Sequence, residues 1–338
     1  MEFQEFFQKS LFLDLEIDKT GKIYDVGAFL GKETFRRNQG DNPKEVLWDL
    51  NAFASKASFL VGHNILDHDL PRIRDACPDL SLLTLPAVDT LLLSPLAFPE
   101  NPYHRLIKDY KLLKDSQNDP VADCRLAAEV LKDEWGSFKK GAATGSDLLS
   151  FYRFCFSGLP HAHGVVGFFD AIGANVISKE VALKIFQKKT KGLICTDGFQ
   201  KHITPYFKSV DKSLPLSYCL AWLCVSGGNS ILPHWVRNRF PKISPLLHLL
   251  RDKPCGKDSC GYCFTAHNPV SGLKKYFGFN EFRKTPATKE GKSLQQEIVT
   301  SAAKGDSLFA LLPTGGGKSI CFQLPALMRH HRCGSSPL

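Results

Sequence analysis

Apolar and polar residues alternate along LFLDLEID, with Leu11, Leu13, Leu15 and Ile17 on one side and Phe12, Asp14, Glu16 and Asp18 on the other. A period of two predicts a strand that carries Asp14 and Glu16 on a single face. DKTG follows as a turn and KIYDVGAFLG as a second strand, which together predict a hairpin. Residues 44–56 have a helical pattern, and FLVGHNI is a third, short buried strand. It runs into LDHDLPRI, where Asp69 falls at a strand-to-helix junction, and PAVDTLLLSPL places Asp89 at the end of another strand. Residues 104–114 and 120–135 read as amphipathic helices. In the second, Val121, Cys124, Ala127, Ala128 and Leu131 form an apolar stripe, with Asp123 beside it.

Four carboxylates therefore recur at element ends or on one strand face: Asp14, Glu16, Asp69 and Asp123. Hard divalent cations take oxygen ligands, and two-metal phosphodiester hydrolysis needs such an acidic set. A half-exposed strand with a solvated acidic face is the alternative for Asp14 and Glu16 taken by themselves. The three segments resemble the motifs of the DEDD exonuclease superfamily, which has a ribonuclease-H-like fold: LFLDLEID the first, GHNILDHDLP the second and NDPVADCRLAAEVL the third. The resemblance implies a 3′→5′ exonuclease over residues 1–140, with Asp14, Glu16, Asp69 and Asp123 holding Mg²⁺ or Mn²⁺. It also implies a general-base histidine five residues before the last aspartate, where this chain has Asn118. A related subgroup would want a tyrosine at the position of Asp119. An asparagine takes up no proton near neutral pH, and general-base help is worth roughly 10²–10⁴ in rate. His68 and His104 are the candidate replacements, and His63 and His68 also fit purely structural roles.

Charge divides the chain. Residues 1–130 hold 15 Lys and Arg against 21 Asp and Glu, a net of −6, and the remainder holds 28 against 13, a net of +15. The basic part suits a phosphate backbone. GAATGSD is a small, polar stretch that reads as a linker, opening a middle region over residues 141–250. Its interleaved basic and aromatic residues, among them Tyr206, Trp222, Trp235 and Phe240, fit either a strand-binding surface or an ordinary core under a basic surface. Eleven cysteines, most of them scattered, argue for a reducing, cytoplasmic compartment rather than a disulfide framework. Over residues 251–272, Cys255, Cys260, Cys263 and His267 have the spacing C-x₄-C-x₂-C-x₃-H, which fits a closed structural Zn²⁺ site without a catalytic position. An iron–sulfur cluster fits less well, because it usually wants a fourth cysteine.

LFALLPTGGGKSICFQLPAL predicts a buried strand, a glycine loop and a helix start over the last block, residues 273–338. In PTGGGKS the loop of Thr314, Gly315, Gly316 and Gly317 would cradle phosphates, Lys318 would reach the β- and γ-phosphates, and Ser319 would hold Mg²⁺. Leu312 stands where the full template has its first glycine. YFGFNEFR and SLQQEIVTSAAKGDSLFALLPTGGGKS resemble the adenine-contacting segment and P-loop of RecQ-type superfamily 2 helicases over residues 275–330. The resemblance implies ATP binding, with Phe282, Arg283 and Gln295 at the adenine, although the gap between Arg283 and Gln295 is long for that family. The sequence ends at RCGSSPL with no Asp-Glu box, arginine finger or second lobe, which leads us to expect a truncated lobe with negligible ATP turnover. No strand–helix series follows the P-loop, which excludes a small P-loop kinase.

The expectation is an α/β chain in three parts: a ribonuclease-H-like exonuclease domain, an α-rich middle with a Cys₃His knuckle, and a partial RecA-like P-loop lobe. Its partners would be ATP and DNA, single-stranded or end-bearing duplex, in repair. No apolar run reaches the ~20 residues of a membrane span, and no signal peptide is evident. The alternative is a catalytically inactive nucleic-acid- and nucleotide-binding protein.

Overall fold

The computed structural model describes residues 1–37, 42–101, 119–143, 145–159, 161–208, 214–225, 232–257 and 259–333. The chain divides into two compact units, Met1–Ile185 with Ser209–Tyr218, and Phe186–Lys208 with Cys219–Leu338. No described helix is long and apolar enough to cross a membrane.

The first unit is built on a five-stranded sheet in the order β3-β2-β1-β4-β5. The strands are β1 (Ser10–Ile17), β2 (Ile23–Leu30), β3 (Glu33–Arg37), β4 (Phe59–Gly62) and β5 (Ala87–Asp89). β1, β2 and β3 form an antiparallel meander, whereas β4 lies parallel to β1 and β5 parallel to β4. The helices of this part are α1 (Phe3–Gln8), α2 (Pro43–Phe53), α3 (Asp69–Ala76), α4 (Thr90–Ala97), α5 (Pro120–Ala143), α6 (Asp147–Phe156), α7 (His163–Ala171) and the part of α8 (Lys179–Lys189) up to Ile185. The DKTG turn closes as expected: Asp18 accepts from the Thr20 and Lys22 amides, and Gly21 takes φ 84°.

Alternation along β1 separates two cores. Leu11, Leu13 and Leu15 pack with Leu47, Leu50 and Ile73 on one side of the sheet. On the other, the rings of Phe12 and Phe29 stack 4.7 Å apart, and Phe6 meets Phe59 at 4.7 Å and Trp135 at 5.4 Å. Phe168 and Phe169 of α7 extend this aromatic core onto Trp135 and Phe138 at 5.6 and 5.5 Å. The first unit thus runs past the GAATGSD stretch to Ile185, and α5 itself continues to Ala143. The expected helix over 104–114, with His104 and Asn118, lies outside the described residues.

Helices make up the second unit: α9 (Thr196–Gly198), the part of α10 (Leu214–Cys224) from Cys219 on, α11 (His234–Arg239), α12 (Ile243–Arg251), α13 (Gly261–Ala266), α14 (Pro269–Phe277), α15 (Leu294–Lys304) and α16 (Lys318–Cys333). Arg251 is 1% exposed, and its guanidinium lies 5.4 Å from the Trp222 ring centre and 5.6 Å from that of Tyr262. It donates to Leu193 O and His331 O, so the buried charge is both stacked and hydrogen-bonded. Leu273, Phe282, Val299, Leu324 and Met328 form a separate small core between α14, α15 and α16. The strand expected before the glycine loop does not form. Residues 306–313 have no strand pairing, and Phe309 and Leu311 are 89% and 79% exposed. A parallel strand requires neighbours on its edges and cover on its faces, and none stands beside this segment among the described residues.

Asp89 generates the first prediction. It is fully buried, caps α4 through Leu91 N, and also accepts from Asn64 N and Leu66 N. Burial pushes its carboxyl up to about 6, against the pull of those three amides. A group raised in the folded state contributes stability below its unfolded pKa, and that contribution is lost as pH rises through the folded one. The unfolding free energy of the wild type relative to Asp89→Asn, measured in urea, is therefore expected to fall from about pH 4 to above about pH 6. A difference that grows over this window would contradict the buried, raised carboxyl.

Candidate functional site

The acidic site begins with the register of β1. Asp14 and Glu16 share the face of Phe12, the side covered by α5, and both are half-buried. Opposite Asp14 in the hairpin stands Gly27. A Cβ on Gly27 would lie 2.5 Å from the backbone of Pro120 and Val121, so the first turn of α5 rests directly on β2. Pro120 occupies a first-turn position that needs no amide hydrogen, and Asp119 caps the helix by accepting from Val121 N at 3.1 Å. Cys124 Sγ donates to Gly27 O at 3.3 Å, which fixes the rotation of α5. Asp123 is thereby turned toward β1. Oxygens of Asp14, Glu16 and Asp123 lie within 4.8 Å of one another. Two oxygens on one Mg²⁺ at its usual bond length stand at most about 4.2 Å apart, so this oxygen-only trio is close to a ligating arrangement for a hard divalent cation.

Asp69 is placed differently from the other three. It is the first residue of α3, is 1% exposed, and accepts the Leu15 amide at 3.0 Å, so it orders β1 between Asp14 and Glu16. It is not part of the trio. Desolvation raises its carboxyl, against a hydrogen bond from His68 Nδ1 at 3.5 Å. The same bond raises the His68 imidazole, partly offset by burial. His63 Nδ1 meets Thr90 Oγ1 at 2.9 Å. The Cys124 thiol is pushed well up, first by burial and then by the nearby carboxylates of Asp14, Asp69, Asp123 and Asp119.

A second group lies in the helical unit. Cys255, Cys260 and Cys263 come together as their spacing implies, but their fourth neighbour is Cys195, and ligand atoms of the four lie within 4.8 Å of one another. His267 does not join them. Its Nε2 meets Arg251 O at 3.0 Å, and because a carbonyl only accepts, that nitrogen carries the hydrogen. Burial lowers the His267 imidazole to about 4. Cys195 lies 60 positions before Cys255 in LICTDG and caps α9. No local spacing links it to the other three, and only tertiary contact reveals it.

The glycine loop is held by the residues expected at the adenine. Gln295 is 1% exposed, accepts Arg283 N at 3.2 Å and donates to Gly317 O at 3.0 Å. Arg283 Nη1 donates to Gly315 O. Gly315 and Gly317 both take φ 79°, which favours glycine, and α16 starts at Lys318, whose Nζ meets Leu312 O at 3.4 Å. Thr314, Lys318 and Ser319 are exposed. Phe282 is buried in the α14–α16 core rather than free to stack on a base.

Short segments of the chain match RecQ-like DNA helicases. ATP-dependent DNA helicase Q5 of Rattus norvegicus is 48% identical over 59 residues, which is 17% of this chain and 5% of that protein. The probable ATP-dependent DNA helicase RecS of Bacillus subtilis is 45% identical over 56 residues, 17% of this chain and 10% of the relative. ATP-dependent DNA helicase RecQ of Haemophilus influenzae is 33% identical over 84 residues, 25% of this chain and 10% of the relative. The chain thus spans a tenth or less of the length of these relatives. No family model matches the chain, and no solved structure does. The matches support a helicase-related segment.

The contact at Gly27 generates a prediction about the acidic site. Gly27→Ala must push α5 off the sheet, at a cost of about 1–3 kcal/mol in urea unfolding. It must also carry Asp123 away from Asp14, so Mn²⁺ titration followed by electron paramagnetic resonance is expected to show weakened binding. A variant with unchanged stability and unchanged Mn²⁺ affinity would refute the close approach.

Proposed function

We infer that the first unit is a metal-dependent 3′→5′ exonuclease, joined to an ATP-binding, RecQ-helicase-related segment that acts with it on DNA ends in repair. The observation that carries the nuclease reading is the convergence of Asp14, Glu16 and Asp123 from β1 and α5. The mixed sheet, with its acidic residues on the central strand, is consistent with the ribonuclease-H-like fold that the motif resemblance implies. A divalent ion bound there supplies a water of lowered pKa and positive charge for the leaving oxygen. Asp14, Glu16 and Asp123 hold it with oxygen donors, and Asp69 fixes the β1 backbone that presents the first two. His68, held by Asp69 and 40% exposed through its side chain, is the described residue suited to take up a proton. The reading of the last block rests on the P-loop order and on the RecQ-like matches, with Lys318 and Ser319 open to a phosphate. The basic charge of the chain beyond residue 130 suits DNA. A DNA-binding module without chemistry is the second reading, favoured by Asn118 at the general-base position.

With Mg²⁺ or Mn²⁺, the protein is expected to shorten 5′-labelled single-stranded DNA from its 3′ end. Asp14→Ala and Asp123→Ala are expected to lower the rate at least a hundredfold while circular dichroism stays unchanged. Equal degradation by the variants would remove the assigned site, and binding without shortening in the wild type would favour the second reading. For the P-loop, titration with a fluorescent ATP analogue is expected to show binding weakened at least tenfold by Lys318→Ala. Equal binding by that variant would end the nucleotide assignment.

A further inference from the structure

We propose that Cys195, Cys255, Cys260 and Cys263 form an all-sulfur tetrahedral site for one Zn²⁺, in which Cys195 supplies the ligand that the C-x₄-C-x₂-C-x₃-H spacing assigns to His267. The four sulfurs lie within 4.8 Å of one another, and Cys255 Sγ and Cys263 Sγ are 3.7 Å apart. Two thiolates on one tetrahedral zinc, each about 2.3 Å from the ion, stand about 3.8 Å apart. The observed separation is far longer than a disulfide bond of about 2.05 Å, and all four residues are free cysteines. An iron–sulfur cluster spreads its thiolates over two or more irons and needs a wider cage than this one.

The surroundings are those of a closed structural site. Cys260 and Cys263 are buried, 4% and 7% exposed, and Cys195 is 1% exposed. Gly198 N donates to Cys195 Sγ at 3.4 Å, an amide placed to orient a thiolate. Asp197, two residues after Cys195, pairs with Lys257 at 2.6 Å, so a cation from the loop between Cys255 and Cys260 is tied beside sulfurs that would carry negative charge together. His267 stands outside the four-sulfur group, its ring nitrogens not among the ligand atoms that lie within 4.8 Å of one another, and its Nε2 donates to Arg251 O, which also accepts from Tyr262 Oη at 2.9 Å. Four protein ligands leave no open position, so the ion serves structure. It ties the start of α9 to Cys255, 60 positions on, and to α13, and holds the turn that leads into α14. The site is independent of the nuclease assignment.

The test uses the whole chain, purified under reducing conditions. Elemental analysis is expected to give one zinc per chain, and X-ray absorption at the zinc edge four sulfur neighbours at about 2.3 Å. His267→Ala is expected to keep the zinc and the four-sulfur shell, and Cys195→Ser to lose zinc and unfold at a lower temperature. Three sulfurs and one nitrogen in the wild type, zinc lost from His267→Ala, iron with inorganic sulfide, or a folded and metal-free protein would each overturn the proposal. The wild-type spectrum and His267→Ala decide the matter even if Cys195→Ser fails to fold.

Discussion

The acidic site depends on one steric fact, the absence of a side chain at Gly27. Helices normally pack on sheets with side chains between them. Here the first turn of α5 reaches the backbone of β2, because the atom that would hold it off is missing. Asp14 is the neighbour of Gly27 across the hairpin, so the point of closest approach is also the point where the carboxylates meet. The Cys124 thiol hydrogen bond to Gly27 O then sets which face of α5 looks at the strand. Metal-ligating geometry needs side chains positioned to fractions of an ångström. A backbone-to-backbone contact is stiffer than any arrangement made through long side chains.

Asp69 complements that contact from the opposite edge of β1. β4 pairs with β1 only as far as Phe12, and among the described residues no strand pairs with the later part of β1 on that side. The Asp69 carboxylate takes the Leu15 amide and so replaces a missing ladder bond. The strand segment bearing Asp14 and Glu16 is therefore held by the hairpin on one edge and by a single buried side chain on the other. A residue that resembles a ligand in the motif order thus also orders the backbone here, and its burial raises its carboxyl.

Features written in short-range pattern were legible in the sequence. β1, β2, β4 and β5, the helix after Asn42 and the helix carrying Asp123 were all read from apolar patterning and turn residues. β3 was not read, because ETFRR has one buried residue, Phe35, and no apolar run. The GAATGSD stretch lies within a compact unit that runs to Ile185, because the aromatic residues of α7, well beyond it, complete the core around Trp135. The apolar run before the P-loop has the composition of a buried strand, yet composition creates only a demand for partners. With no parallel neighbour among the described residues, Phe309 and Leu311 stay in solvent. Cys195 is the clearest case of a residue invisible to spacing, since what joins it to Cys255 is the packing of helices and not the length of a loop.

The two candidate metal centres differ in a way that keeps them chemically separate. One offers only carboxylate oxygens, half-buried and open to a substrate, and suits ions that exchange ligands and keep water. The other offers only sulfur, largely buried, and suits a soft or borderline ion held without exchange. Neither donor set competes well for the other's ion at cellular concentrations, because thiolates bind Mg²⁺ poorly and zinc prefers a tetrahedral thiolate cage to a loose carboxylate trio. A single chain can therefore carry both without a selectivity filter. Loss of the sulfur-bound ion would be felt as loss of fold in the helical unit, whereas loss of the oxygen-bound ion would be felt as loss of chemistry in a unit whose sheet and two cores remain intact.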